Sequence, residues 1–350
     1  MRLAATARCR RIKSMHETVT WGLIGASTIA REWMVDAIRK HPSGAVRSIV
    51  SADLERATSF AQQKGIPNAY DSVAEMLADP EITAVYISTT NDRHLPDALA
   101  AIKAGKHVLC EKPLALEASE AQTLVDMASN KGVVLATNHH LRNMDSHRAI
   151  KRLIDQGAVG KVNSIRLFHA GELPESLKTW RLHDKAAGAG VIYDITVHNG
   201  DLLRFYLGAN PTKISAIAAT SGSGPRHIED SVMSIWEFPG DILVQCHDSF
   251  VVGYGPRGVE VHGSAGTILG IDVMSQAPGG SVILRTKEGD EVIPLEMNVT
   301  YERGVADFIA AIQNRGKPSS SGEDGVWSLK LARAVAQSAA TGQTISIEPT

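Results

Sequence analysis

Cysteine is scarce: Cys9, Cys110 and Cys246 are the only three in 350 residues, and no two are spaced as CxxC. That excludes a disulfide framework and a zinc ribbon, and fits a reducing, cytoplasmic setting. Charge of one sign is missing too. The 36 Lys and Arg stand against 38 Asp and Glu, leaving a formal net charge of −2 and no chain-wide basic field for nucleic acid or an anionic membrane. Nowhere do about 18 apolar residues run together, so nothing reads as a membrane-spanning helix. No Gly-x-Ser-x-Gly elbow raises a nucleophilic serine. No carboxylate or cysteine cluster completes a metal site around His139 and His140.

The length allows two domains. Residues 1–18 carry Arg2, Arg8, Arg10, Arg11 and Lys13 without the apolar segment of a secretory signal. They read as a disordered tail or an over-called start with the initiator at Met15, a basic transit peptide being the alternative. From residue 19, strand-like runs at 19–24, 46–51, 85–88, 107–110 and 133–137 alternate with helical periodicity at 29–40, 54–64, 94–104 and 117–131. Gly65, Gly105 and Gly132 stand where helices stop. This rhythm predicts an α/β dinucleotide-binding domain over 19–138, a doubly wound Rossmann sheet of parallel strands.

Beyond residue 138 the rhythm changes. Helices are predicted near 146–156 and 194–207, then strands at 214–220, 232–238, 241–250, 258–262, 267–272, 281–286 and 291–294, with turn signals such as Pro239-Gly240 and Gly289-Asp290. Two more helices near 302–315 and 325–341 close the chain. Residues 139–350 therefore read as a substrate-binding α+β domain on an open, mainly antiparallel sheet, its terminal helix a candidate to return to the first domain.

The first strand runs into Gly25-Ala26-Ser27-Thr28-Ile29-Ala30 and a helix, where a Rossmann fold cradles a pyrophosphate against helix N-terminal amides. Ser27 stands where the second glycine of GxGxxG/A belongs. At the end of the second strand, an acidic residue would accept the ribose hydroxyls of NAD and repel a 2′-phosphate. Ser51 occupies that position, and Arg56 offers a guanidinium fork five residues later, which points to NADP(H). Asp53 stays open between ribose acceptor in a slipped register and N-cap of the next helix.

Gly105-Lys106-His107-Val108 followed by Glu111-Lys112-Pro113, Thr90-Asn91 with His94, and Gly188-Ala189-Gly190 before Asp194 and His198 together resemble the glucose–fructose oxidoreductase / inositol dehydrogenase (Gfo/Idh/MocA) family. The likeness runs from about residue 19 to the end. Residues 21–33, 137–143 and 322–328 resemble a keto-sugar reductase of that family, which carries Ser and Ala at the positions of Ser27 and Ala30. The resemblance implies NADPH, with cofactor contacts from Gly25, Ser27, Thr28, Ile29, Ala30, Ser51, Arg56, Thr89, Asn91, His94, Glu111 and Lys112. It implies a catalytic set of Lys112, Asp194 and His198, and a sugar pocket lined by His169, Trp180 and Arg181. Ala189 departs from the family's middle glycine.

The chemistry is coherent. Lys112, ending a parallel strand, would polarise a carbonyl and stabilise alkoxide charge as hydride arrives. His198 would exchange the proton, and Asp194 would bond a substrate hydroxyl or hold the His198 ring. The expected function is NADPH-dependent reduction of a small keto-sugar, with no nucleic acid or membrane partner, no metal, and an oligomeric state the sequence does not give. The alternatives are another sugar or cyclitol dehydrogenase of the family and a non-catalytic NADP-sensing regulator.

Overall fold

A computed structural model describes residues 18–221, 225 and 227–348. The expected N-terminal extension lies outside the described residues except for Thr18. Strands β1 (Val19–Ile24), β2 (Gly44–Val50), β3 (Asn68–Tyr70), β4 (Ala84–Ile87), β5 (His107–Cys110) and β6 (Leu135–Thr137) form one sheet. Its order is β3-β2-β1-β4-β5-β6 and every pairing is parallel. This is the doubly wound arrangement, and β4 is buried at every position because helices cover both faces. Those helices are α1 (Val35–Lys40), α2 (Leu54–Lys64), α3 (Val73–Leu77), α4 (Asn91–Lys103) and α5 (Ala118–Lys131). The predicted helix 29–40 is split: a π-type turn over Ala30–Met34 precedes α1.

The second sheet holds β7 (Val162–Ala170), β8 (Lys213–Ala219), β9 (Ser231–Phe238), β10 (Ile242–Ser249), β11 (Gly258–Gly263), β12 (Gly266–Ile271), β13 (Ser281–Thr286), β14 (Gly289–Ile293) and β15 (Ile345–Ser346). Its order is β14-β13-β12-β11-β7-β10-β9-β8-β15. All pairings are antiparallel except β7 with β10, which is parallel. The sequence reading missed β7, the middle strand. Its buried positions Val162, Ile165, Leu167 and Ala170 break the period of two, and Asn163, Ser164 and Arg166 intervene.

Helices α6 (Asp145–Asp155), α7 (Trp180–His183), α8 (Val197–Leu207), α9 (Thr300–Ile312) and α10 (Gly322–Thr341) complete the described chain. None of them is long and apolar enough to cross a membrane. Both terminal helices serve the first sheet. Val305, Phe308 and Ile309 of α9 join Trp21, Met34 and Ile38 in one core. Along α10, Val326 and Leu329 enter the core under β4 and β5, while Leu331 and Val335 enter that of the second sheet. One helix therefore carries both cores, which holds the two sheets in a defined relation.

Candidate active site

Gly25 follows β1 with φ of 106°, and a Cβ there would lie 2.9 Å from the Ser88 carbonyl group. Only glycine meets both conditions. Ser27 takes a structural role in place of a second glycine: its Oγ donates to Ser88 Oγ at 2.7 Å and accepts from the Ala30 amide at 3.1 Å. The hydroxyl thus braces the first helical turn to the neighbouring strand end. Thr28 is exposed, Ile29 half-buried and Ala30 buried. Arg56 folds back across this loop, its Nη2 donating to Ala26 O at 2.7 Å, with Ser51 half-buried at the end of β2. Asp53 accepts from the amides of Glu55 and Arg56, so it is the N-cap of α2.

The end of β4 continues the crevice. Thr89 Oγ1 donates to Asp97 at 3.0 Å, and Asn91 Nδ2 donates to Gly188 O at 3.2 Å, which ties the start of α4 to the glycine motif far along the chain. Buried His94 faces the carbonyls of Pro113 and Thr89, and burial pulls its pKa down to about 4. Glu111 is buried at the end of β5, where it accepts hydrogen bonds from Tyr86 and Asn138, each at 2.6 Å. Burial raises its pKa.

Lys112, the next residue, crosses to the second domain. Its Nζ donates to both the backbone O and Oδ1 of Asp194, each at 2.8 Å. The two side chains are only 13% and 15% exposed, so solvent screens the pair weakly. Asp194 sits in a π-type turn, Ile192–Thr196, that leads into α8, and Arg181 Nε approaches its other oxygen at 3.6 Å. Burial alone would raise the Asp194 pKa, but the Lys112 and Arg181 charges outweigh it and hold the group at about 2. Both carboxylate oxygens therefore face cations, and among the described residues no hydrogen bond joins Asp194 to His198. The Arg181 guanidinium also lies over the half-buried Trp180 ring, 4.7 Å from its centroid.

His198, on the first turn of α8, is buried and its Nδ1 has no partner among the described residues. Three imidazoles surround it, with ring centroids 5.0 Å away at His140, 5.8 Å at His169 and 5.9 Å at His139. Burial first, and then the positive Lys112, push the His198 pKa well below its ordinary value. The ring is neutral at pH 7. His140 stacks on Tyr301 at 5.5 Å, and His139 Nε2 meets Ser328 Oγ at 2.9 Å. Lys112, Asp194, His198, His169, Trp180 and Arg181 thus come together, while the phosphate-loop residues gather along the strand ends of the first sheet.

Sequence reasoning did not find His140 and Tyr301 as walls of this site, although it weighed His139 and His140 as metal ligands. The two stretches 137–143 and 322–328 prove to be neighbours. Buried Arg142 donates to Asp201 at 2.7 Å and to Asp324 at 3.1 Å, and Arg204 donates to Asp324 at 3.1 Å. This network anchors the loop that carries His139 and His140.

Comparison with known proteins agrees with this architecture. Residues 19–139 match the family described as "Oxidoreductase family, NAD-binding Rossmann fold", and residues 147–269 match the "GFO/IDH/MocA C-terminal domain". The chain is 48% identical over 328 residues to 1,5-anhydro-D-fructose reductase of Ensifer adhaerens, covering 94% of this chain and 98% of that one. It is 28% identical over 342 residues to inositol 2-dehydrogenase of Rhizobium meliloti, covering 94% and 99%. Among solved structures, levoglucosan dehydrogenase in complex with NADH and levoglucosan shares the fold with a TM-score of 0.85 at 24% identity, covering 95% of this chain and 100% of that one. A parallel sheet ending in a Gly25 cradle, a mainly antiparallel second sheet, and two matching family regions spanning most of the chain lead to one conclusion: this protein belongs to the Gfo/Idh/MocA oxidoreductase family.

Proposed function

We propose that this chain reduces a keto-sugar with NADPH, and that the substrate is 1,5-anhydro-D-fructose, converted at its ketone to 1,5-anhydro-D-mannitol. The observation that carries the reading is the Lys112 ammonium, held between two oxygens of Asp194 with His198 beside it. The 48% identity to an anhydrofructose reductase over nearly the whole chain supports the choice of substrate.

The residues present fit a dinucleotide. Gly25 lets the chain turn sharply off β1 against the Ser88 backbone, where a Cβ would lie 2.9 Å away, and so brings the start of the following helix, the end that favours a phosphate, to the strand ends. Donors at the end of β2 support the 2′-phosphate: Ser51 and Arg56 are donors, and the Asp53 carboxylate is engaged as a helix cap, with Glu55 exposed beside it. Gly25, Ser27, Thr28, Ile29 and Ala30 would hold the pyrophosphate, and Thr89, Asn91, His94 and Glu111 would shape the wall along the strand ends. When bound, the reduced nicotinamide supplies a hydride.

The chain's own groups do the rest. Lys112 donates to the substrate carbonyl oxygen and stabilises the alkoxide that forms as the carbon is reduced. His198, or a water it orders, delivers a proton to that oxygen, which completes the alcohol. Asp194 aims the Lys112 ammonium, and His169, Trp180 and Arg181 hold the sugar ring. The scarcity of cysteine supports a cytoplasmic setting.

The test is NADPH oxidation against a panel of keto-sugars, with NADH in parallel. Turnover of 1,5-anhydro-D-fructose with NADPH supports the reading. Turnover of inositol with NAD, and none of the anhydro-sugar, would move the chain to the inositol dehydrogenase class.

A further inference from the structure

Asp248 has no place in the chemistry above, yet it is a fully buried carboxylate beside the helix that carries His198. It lies on the inward face of β10 with Val244 and Cys246, and the parallel register pairs it with His169 on β7. Asn199 of α8 reaches over both residues. Its Nδ2 donates to Asp248 Oδ1, and its own Oδ1 lies 3.2 Å from His169 Nδ1. The second oxygen of Asp248 accepts from Thr196 Oγ1 at 2.6 Å. Thr196 and Asn199 flank His198 along the chain, so one carboxylate holds the segment on both sides of that ring.

An ionised carboxylate carries no hydrogen, so the atom of Asn199 that faces it is the amide nitrogen. The amide oxygen is thereby turned toward His169, where only an N–H can meet it. Nε2 of the half-buried His169 has no partner among the described residues, and the ring stands 5.8 Å from that of His198. We propose that Asp248 and Asn199 are positioning residues that fix His169 as the Nδ1–H tautomer, so that Nε2 is an acceptor for a substrate hydroxyl. The proposal rests on the sugar reading for the identity of that hydroxyl. It makes the pocket selective for a donor at this position, since a methyl ether or deoxy analogue leaves Nε2 unpaired.

Burial raises the Asp248 pKa to about 7 against the two hydrogen bonds that lower it, and burial lowers that of His169 to about 4. At pH 8.5 the first group is ionised and the second neutral, so the tautomer is read there. The experiment is histidine ¹⁵N NMR on the labelled full chain without substrate, His169 being assigned with a His169→Gln variant. The wild type is expected to show Nδ1–H. In Asn199→Leu the acceptor is gone, and the ring is expected to become a tautomer mixture with kcat/KM for the sugar about tenfold lower and KM for NADPH unchanged. The exchanged pair Asn199→Asp/Asp248→Asn places a carboxylate against His169 and an amide behind it, and is expected to restore Nδ1–H. Nε2–H in the wild type, or Nδ1–H persisting in Asn199→Leu, overturns the proposal. The wild-type measurement decides even if a variant fails to fold. The readout needs no turnover, so absence of keto-sugar reduction overturns only the reading of the substrate.

Discussion

Lys112 gains its direction from Asp194, 82 positions away in sequence, and its charge is the feature the proposed chemistry uses most. Lys112→Ala is expected to lower kcat about 100- to 1000-fold, the usual scale for losing one donor to a developing oxyanion. Cofactor affinity, followed by fluorescence titration, should change little. Arg56 makes a different prediction. Its guanidinium is already braced against the phosphate loop, so Arg56→Ala should raise KM for NADPH about tenfold or more while KM for NADH hardly moves. Equal effects on both would remove Arg56 from cofactor selection. His198 predicts a pH profile. Its pKa lies well below 6.5, so the protonated form keeps increasing as pH falls toward that value. The rate of reduction should rise from pH 8 to pH 6 without levelling, as stopped-flow traces of NADPH consumption would record.

Among the elements, α9 and α10 do what their position in the chain does not announce. Following nearly all of the second domain, they pack on the first, where Phe308 is buried against Trp21 at a ring distance of 5.3 Å. Phe308→Ala is expected to cost about 3–5 kcal/mol in urea unfolding, the range for truncating a buried aromatic. The periodicity of both helices was readable, and so were the strands of the first sheet, whose apolar runs are punctuated by glycine stops. Strand β7 was not readable, because its polar residues face the site and the sheet's outer surface and so spoil the alternation. The π-type turns at Ala30–Met34 and Ile192–Thr196 were invisible for another reason. Each runs straight into a following α-helix, Val35–Lys40 or Val197–Leu207, so in sequence it reads as the first turn of that helix.

For the whole molecule, the concentration of buried imidazoles sets the response to acid. Burial lowers the pKa of His94 and His169 to about 4, and of His140 and His147 to about 3. Below about pH 6.5 the unfolded chain takes up protons that these native rings refuse, so their contribution to stability is lost as pH falls. Asp201 and Asp248 act the other way. Raised to about 7, they bind protons in the native state that the unfolded chain releases above about pH 4, so they gain stability over the same window. Four rings outweigh two carboxyls, and the unfolding free energy should fall between pH 6.5 and pH 4.5. Urea titrations at those two pH values check it, and greater stability at the lower one would contradict the balance.

By itself the sequence determined the parallel first sheet and the Gly25 turn, because periodicity and turn chemistry are local and survive in one dimension; it supplied Ser51 and Arg56 as candidate donors, and Lys112, Asp194 and His198 as candidates through resemblance to the family. Only the tertiary structure decided that Asp194 serves Lys112 and Arg181 and makes no bond to His198, that Asp53 is a cap, and that Asp248 stands behind Asn199 and His169. Apart from the local Asp53 cap, those choices are competitions for buried or half-buried polar contacts among groups 13 to 82 residues apart, and their outcome depends on which elements become neighbours.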